Sequence, residues 1–153
     1  MEDTTVLEVC KKLIAMGYDI LLLPHSLHPT DEKSHDGYYL QDFLLPGIRT
    51  SQSIEQTLAW YKSCHIVISM RFHSMILAIT HGIPFIGVSY SDKTASVLQD
   101  MEWEYAFGKK TETPILIDAV EKIEKNYTAL EIQLQRYGEK KKADYMDFFT
   151  QNI

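Results

Sequence analysis

The sequence predicts an α/β domain built on a Rossmann-like, doubly wound parallel sheet. Two strand-length apolar runs, residues 65–70 (HIVISM) and 84–89 (PFIGVS), are each followed by a helical stretch. Both runs are almost continuously apolar rather than alternating, the pattern of strands covered on both faces by helices. The β-α-β-α spacing calls for parallel strands with helical crossovers. Such sheets hold ligands outside the carboxyl ends of their strands, so chemistry is expected after residues 24, 70 and 89.

The remaining elements follow in order. Val6, Cys10, Leu13 and Ile14 recur at helical spacing, predicting a helix over 4–16 that Gly17 ends. Residues 18–24 read as a short buried strand closed by Pro24, and 25–38 as a polar loop leading to a helical turn near 39–44. A short strand is expected at 48–50. Ser53 and Gln56 then have the capping-box form, starting a helix to about 63 with Ile54, Leu58 and Tyr61 on one face. Helices are expected over 73–80, stopped by Gly82, and over 93–101. Thr113 and Pro114 read as an N-cap and a first helical residue. From there Leu116, Val120, Ile123, Tyr127, Leu130, Leu134 and Tyr137 step by alternating fours and threes. That heptad pattern fits either a long helix packed across the domain or a self-associating seam. Gly138 is expected to break the helix, leaving Tyr145, Phe148 and Phe149 as an aromatic tail that needs cover.

A doubly wound unit opens with a strand, whereas this chain opens with a helix. The expectation is therefore the second half of a larger protein. Residues 1–110 would form a Rossmann-like domain lacking its first strand. Residues 111–153 would form a helical segment packing on that domain or on a partner.

Composition narrows the class. Among 153 residues, 45% are hydrophobic and 24% charged, an ordinary globular balance. The 21 acids outnumber the 15 bases, and no basic stripe stands out beyond residues 140–142, so a nucleic-acid partner is not expected. No apolar stretch approaches the ~18–20 residues of a membrane span, and the acidic start is unlike a signal peptide. Cys10 and Cys64 make neither a disulfide framework nor a zinc set, and the chain reads as reduced and intracellular.

Chemistry is best sought in Ser69-Met70-Arg71-Phe72-His73-Ser74, where a buried strand turns into a helix. Helix N-termini favour anions, Arg71 can grip a carboxylate or phosphate in bidentate fashion, and His73 can move a proton near neutral pH. The plainer alternative is that Arg71 pairs with an acid and His73 caps the helix. Tyr90-Ser91-Asp92-Lys93 follows the next strand on the same sheet edge, and Lys93 at a helix start suggests an offsetting anion, the plainer alternative being a solvated lysine. His25 ends a third candidate strand. His28 and His35 read as loop residues, His65 and His81 as structural, and Cys64 as a small core residue. No metal site and no Gly-rich phosphate loop is expected.

At these residues the sequence resembles the polysaccharide pyruvyl transferase family. Residues 66–93 (IVISMRFHSMILAITHGIPFIGVSYSDK) are similar to its signature of Arg-x-His at a strand end, helix, Gly-x-Pro turn, strand and Tyr-x-x-Lys. The Pro24-His25 strand end is a further likeness, while Phe72 stands where leucine is more usual. The resemblance is specific over about 65–95 and looser over 4–64. It implies the C-terminal half of a GT-B-like architecture, with the active site in the cleft between two Rossmann-like halves. The implied reaction moves pyruvate from phosphoenolpyruvate onto two sugar hydroxyls as a cyclic ketal, in exopolysaccharide or cell-wall polymer synthesis. The expected catalytic residue is His73. Substrate contacts are expected from Arg71, Ser74, Tyr90, Lys93 and His25, with no cofactor beyond the donor itself. The acceptor would be a sugar or lipid-linked oligosaccharide, met in the cytoplasm at the inner face of the membrane. Lacking the other half, the chain alone would be a donor half-site with little turnover, free to dimerise through its sheet edge or heptad helix. Two other readings remain open. One is a nucleotide-sugar glycosyltransferase or epimerase half using Glu102 or Glu104 beside Trp103; the other is a non-catalytic oligomerisation module.

Overall fold

The structure, a computed structural model, describes residues 3–25, 45–89 and 92–151. The expected loop and turn over 26–44 lie outside the described residues, as do Tyr90, Ser91 and the side chains of Lys93, Tyr145, Phe148 and Phe149. The described chain forms two compact units. One comprises residues up to 64 with 108–119, and the other comprises 65–107 with residues from 120 onward.

In the first unit, α1 (Asp3–Ala15) turns its apolar stripe inward, burying Val9, Cys10 and Leu13. Gly17 ends the helix at φ 93°, with the Tyr18 N–H bonding back to the Leu13 carbonyl and that of Gly17 to Ile14. That left-handed cap needs a residue without a Cβ penalty. The strand expected over 18–24 shrinks to β1 (Leu21–Leu22), because its parallel neighbour β2 (Arg49–Thr50) pairs only Leu21 with Arg49 and Leu22 with Thr50. Leu22 joins Cys10 in a small core with Val6, Leu7, Ile20, Leu45 and Ile48 packed against it.

The next helix, α2 (Ile54–Tyr61), starts on its Ser53 cap, whose hydroxyl accepts from the Gln56 N–H at 3.1 Å. The Gln56 side chain reaches back to the Gln52 N–H at 2.7 Å, one residue earlier than a standard capping box. The buried face departs from the sequence expectation. Thr57 and Tyr61 are inside, while Ile54 and Leu58 are 40% and 43% exposed. The rotation has a polar cause: the Thr57 hydroxyl is bonded inside the unit, to the Pro24 carbonyl and the Ser51 hydroxyl.

The second unit carries a three-stranded sheet in the order β3 (Val67–Ser69), β4 (Phe85–Ser89), β5 (Ala106–Gly108). β3 and β4 are parallel, with Val67 beside Phe85 and Ser69 beside Gly87, and α3 (Phe72–His81) crosses between them. Phe85, Ile86 and Val88 are wholly buried, so both faces of β4 are covered, as the apolar run requires. The helix α4 (Asp92–Asp100) follows β4. The short β5 has no apolar run to announce it; its neighbourhood is set by Trp103 and Tyr105, with the Gly87 N–H bonded to the Tyr105 carbonyl at 2.9 Å. The fold is thus α/β with parallel strands in both sheets.

The chain ends in α5 (Thr113–Gln151), 39 residues long. Two expectations are corrected here. The first helical bond runs from the Leu116 N–H to the Glu112 carbonyl, so Glu112 is the cap and Thr113 the first helical residue, its hydroxyl spent on Glu8 at 2.8 Å. Gly138 does not break the helix. A single interior glycine costs only about 1 kcal/mol against alanine, and contacts on either side outweigh it. On one side the Tyr127 hydroxyl donates to the His65 carbonyl at 3.0 Å and its ring stacks on His65 at 4.2 Å. Directly before the glycine the Tyr137 hydroxyl, and after it the Lys141 Nζ, each meet Asp100 at 2.8 Å, and Lys141 first and Tyr137 second hold that carboxyl below the usual carboxylate range. Leu116, Val120, Ile123, Leu130 and Leu134 are buried within the single chain, which favours the packed helix over the self-associating seam.

Gly87 lets the helices close on β4. A Cβ there would stand 3.0 Å and 3.1 Å from the two methyls of Leu98 and 3.4 Å from the Met75 sulfur, both buried side chains. Gly87→Ala should therefore cost about 1–3 kcal/mol by overpacking, read as a lower urea midpoint at unchanged slope. At the end of α4, Glu102 sits at φ 51° in the left-handed cap position that glycine fills after α1 and α3. Glu102→Gly should raise stability by about 0.5–1 kcal/mol in the same assay.

Burial, followed by hydrogen bonds to Glu104 and Asp100 respectively, pushes the Tyr105 and Tyr137 phenols up to about 12. Unfolded, they ionise near pH 10. Between those values the unfolded chain binds fewer protons than the folded one, so stability present below pH 10 is lost as pH rises towards 12. Phenolate absorbance of the folded protein should show Tyr105 and Tyr137 titrating late. Tyr105→Phe and Tyr137→Phe should each flatten the alkaline decline.

Candidate functional site

The carboxyl end of β3 presents the Arg-x-His segment. Ser69 closes the strand, and its buried hydroxyl accepts from the Arg71 N–H at 3.0 Å while lying 3.3 Å from the Arg71 carbonyl. Both contacts fall on one residue two places ahead, so the backbone turns the corner in a fixed shape. Arg71 occupies the cap position of α3 in extended conformation, φ −86° and ψ 127°, and its carbonyl accepts the Met75 N–H at 3.2 Å. The cap position is held by Arg71, whose side chain makes no cap hydrogen bond. His73 lies in the first turn, exposed like Arg71, while Ser74 points inward and is buried. The Phe72 ring meets the His73 ring edge to face, centroids 5.7 Å apart.

Two basic side chains stand at this corner, with Asp92 in the first turn of the neighbouring α4. The first turn of α3 holds no acid, and the helix dipole already places positive potential there. Arg71 and His73 add to it rather than balancing it. Such a turn favours an anion within reach of a guanidinium and of an imidazole that can exchange a proton.

Because β3 and β4 are parallel with Ser69 level with Gly87, the start of α4 lies on the same sheet edge as that of α3. Lys93 is in the first turn of α4. His25 belongs to the first unit, three residues past β1, with its ring edge-on to the buried Tyr61 at 5.9 Å. Arg71, His73 and Ser74 are thus brought together at one strand end, and Lys93 is placed on the shared edge by the topology.

The other candidates take structural places. His65 stacks on Tyr127 and reaches Glu124 at 3.1 Å, and His81 Nδ1 lies 2.8 Å from the Leu77 carbonyl. His28 and His35 lie outside the described residues. Burial pushes the Cys10 and Cys64 thiols up, away from thiolate reactivity. Trp103 is core: it stacks on Phe85 at 4.9 Å and donates its Nε1–H to the Phe85 carbonyl at 2.9 Å. It therefore offers no open face to a nucleotide base. Among the described residues no group of three His, Cys, Asp or Glu side chains comes together to hold a metal, and no helix is long and apolar enough to cross a membrane.

Sequence reasoning missed the hydroxyls behind the strand ends, Ser69, Ser51 and Thr57. A serine two residues before a strand-end arginine is a readable turn signal, since serine hydroxyls bond backbone N–H groups two residues on. The Ser51–Thr57 pair left no such local trace for its bond to Pro24, 33 residues away.

The chain is thus an α/β protein with parallel strands that carries Arg71 and His73 at a strand-to-helix turn whose first helical turn holds no acid. A family model described as polysaccharide pyruvyl transferase matches residues 3–92, from α1 to the start of α4. The chain belongs to the polysaccharide pyruvyl transferase family, and pyruvyl transfer is the general activity of that family. Neither the curated proteins nor the solved structures gave a match.

Ser69→Ala removes the acceptor of the Arg71 N–H. The expected outcome is a loss of about 0.5–1.5 kcal/mol in stability and faster hydrogen exchange at the Arg71 amide, with Ser69→Thr retaining protection.

Proposed function

We propose that the second unit binds phosphoenolpyruvate at the carboxyl edge of β3 and β4 and serves its transfer to a sugar as a cyclic ketal. The observation that carries this reading is the pair of exposed basic side chains, Arg71 and His73, on an acid-free helix start behind a pinned strand end. Phosphoenolpyruvate brings a carboxylate and a phosphate. Arg71 takes the carboxylate in a bidentate grip, and helix N–H groups with Lys93 take the phosphate. Ser74, Tyr90 and His25 are proposed as further substrate contacts, on the family resemblance of their positions.

The chemistry balances without an outside reductant or oxidant. A proton added to the methylene carbon makes the methyl group and leaves cationic character at the neighbouring carbon. One sugar hydroxyl adds there and gives up its proton. Inorganic phosphate then departs, and a second hydroxyl adds to close the ketal, giving up a second proton. His73 is the residue proposed to exchange these protons, at the donor carbon or at the acceptor hydroxyl. The bound carboxylate stabilises the positive charge as it develops. The acceptor is proposed to be a sugar or lipid-linked oligosaccharide of an exopolysaccharide or cell-wall polymer, met on the cytoplasmic side of the membrane.

The nucleotide-sugar reading has less support, because the tryptophan beside Glu102 and Glu104 is occupied in the core. Calorimetric titration separates the two. Phosphoenolpyruvate should bind, and Arg71→Ala should weaken it about 10- to 100-fold, the loss of a charge-assisted contact of about 1.5–3 kcal/mol. Heat from UDP with none from phosphoenolpyruvate would overturn the proposal.

A further inference from the structure

In the first unit a chain of buried hydroxyls ends at the residue before His25. The Thr57 hydroxyl lies 3.3 Å from the Pro24 carbonyl and 2.6 Å from the Ser51 hydroxyl. Thr57 has one O–H to give; donated to the carbonyl, it leaves Ser51 as the donor to Thr57. Both residues are almost fully buried, at 2% and 3% exposure, and the Pro24 ring is buried with them. One turn further along α2, Tyr61, 1% exposed, meets the His25 ring edge to face at 5.9 Å and 86°.

Buried hydroxyls are costly unless they are paired, so a threonine and a serine at core positions call for a reason. Valine and alanine would fill the same space. The polar pair does one thing an apolar pair cannot: it fixes the direction of the Pro24 carbonyl, and with it the peptide plane that joins Pro24 to His25. Tyr61 then constrains the ring itself. Backbone and side chain are held from the same helix, four residues apart, which is the spacing that puts two side chains on one face.

We infer that Thr57, backed by Ser51, and Tyr61 are positioning residues for His25, holding its imidazole in one orientation at the end of the β1 segment. The inference rests on the proposed reading in which His25 contacts substrate. It also accounts for the inward rotation of α2 that leaves Ile54 and Leu58 exposed.

The test uses the full chain, with the His25 ring resonances assigned by comparison with His25→Ala. Thr57→Val keeps the shape and removes the hydroxyl, Thr57→Ser keeps the hydroxyl, and Ser51→Ala cuts the relay at its far end. Thr57→Val and Tyr61→Leu should each shift and broaden the His25 ring signals while the His81 signals stay in place. Thr57→Ser should restore the wild-type position, and Ser51→Ala should give a smaller shift. Unmoved His25 signals in Thr57→Val, or equal displacement in Thr57→Ser, would overturn the positioning role. Should Thr57→Val not fold, the Ser51→Ala and Thr57→Ser spectra decide the point. A wild-type chain that gives no heat with phosphoenolpyruvate defeats the proposed function, and the spectra still decide the positioning.

Discussion

The strands of this protein are too short to satisfy their own ends. β1 and β2 pair over two residues, and β3 pairs with β4 over three. A parallel ladder that brief leaves the flanking N–H and C=O groups close to the core without strand partners, and a buried backbone group left unpaired costs about 1–3 kcal/mol. Side-chain hydroxyls take over the task. Thr50 donates to the Leu22 carbonyl at 3.1 Å, Thr57 to that of Pro24, and Ser69 accepts from the Arg71 N–H. Among the described residues no buried side-chain nitrogen or oxygen lacks a hydrogen bond.

That constraint ties folding to function at the same atoms. The residues proposed to touch substrate begin within three places of the ends of β1 and β3, so whatever closes the strand also aims them. Ser69 closes β3 and fixes the cap residue Arg71. Thr57 bonds the carbonyl ahead of His25. A longer ladder would have satisfied the backbone without help and would have carried these side chains further from the turn. Helix ends follow the same logic in another form. After α1 and α3, glycines at φ 93° and 67° close the last turn, and after α4 Glu102 does so at φ 51° because the next residue, Trp103, is drawn into the core by Phe85.

Much of this was legible in the sequence because it depends on local chemistry. The two apolar runs, the glycine stops at 17 and 82 and the Ser53 cap are properties of neighbouring residues, and each appears where the pattern put it. The Arg-x-His turn was legible for the same reason, since a buried strand followed at once by a helix leaves one place for residues 71–74. What was not legible depends on contacts between distant residues. β5 forms because Gly87 meets Tyr105 across the sheet, and nothing in residues 106–108 announces a strand. The buried face of α2 turns from Ile54 and Leu58 to Thr57 because the acceptor for its hydroxyl is 33 residues away. Gly138 reads as a stop until Tyr127, Tyr137 and Lys141 fasten the helix on both sides of it.

Electrostatics gives the turn after β3 its particular character. The chain carries a formal charge of −6, which repels a multiply charged anion at long range. At physiological ionic strength that repulsion fades over about 8 Å, so the local arrangement decides affinity rather than the overall field. In the first turn of α3 the helix dipole and Arg71 share one sign and no acid stands in that turn, while Asp92 opens α4 on the same sheet edge. Lys141, by contrast, is matched by Asp100 at 2.8 Å. The contacts available at the end of β3, rather than the net charge of the chain, therefore set how strongly the proposed donor is held.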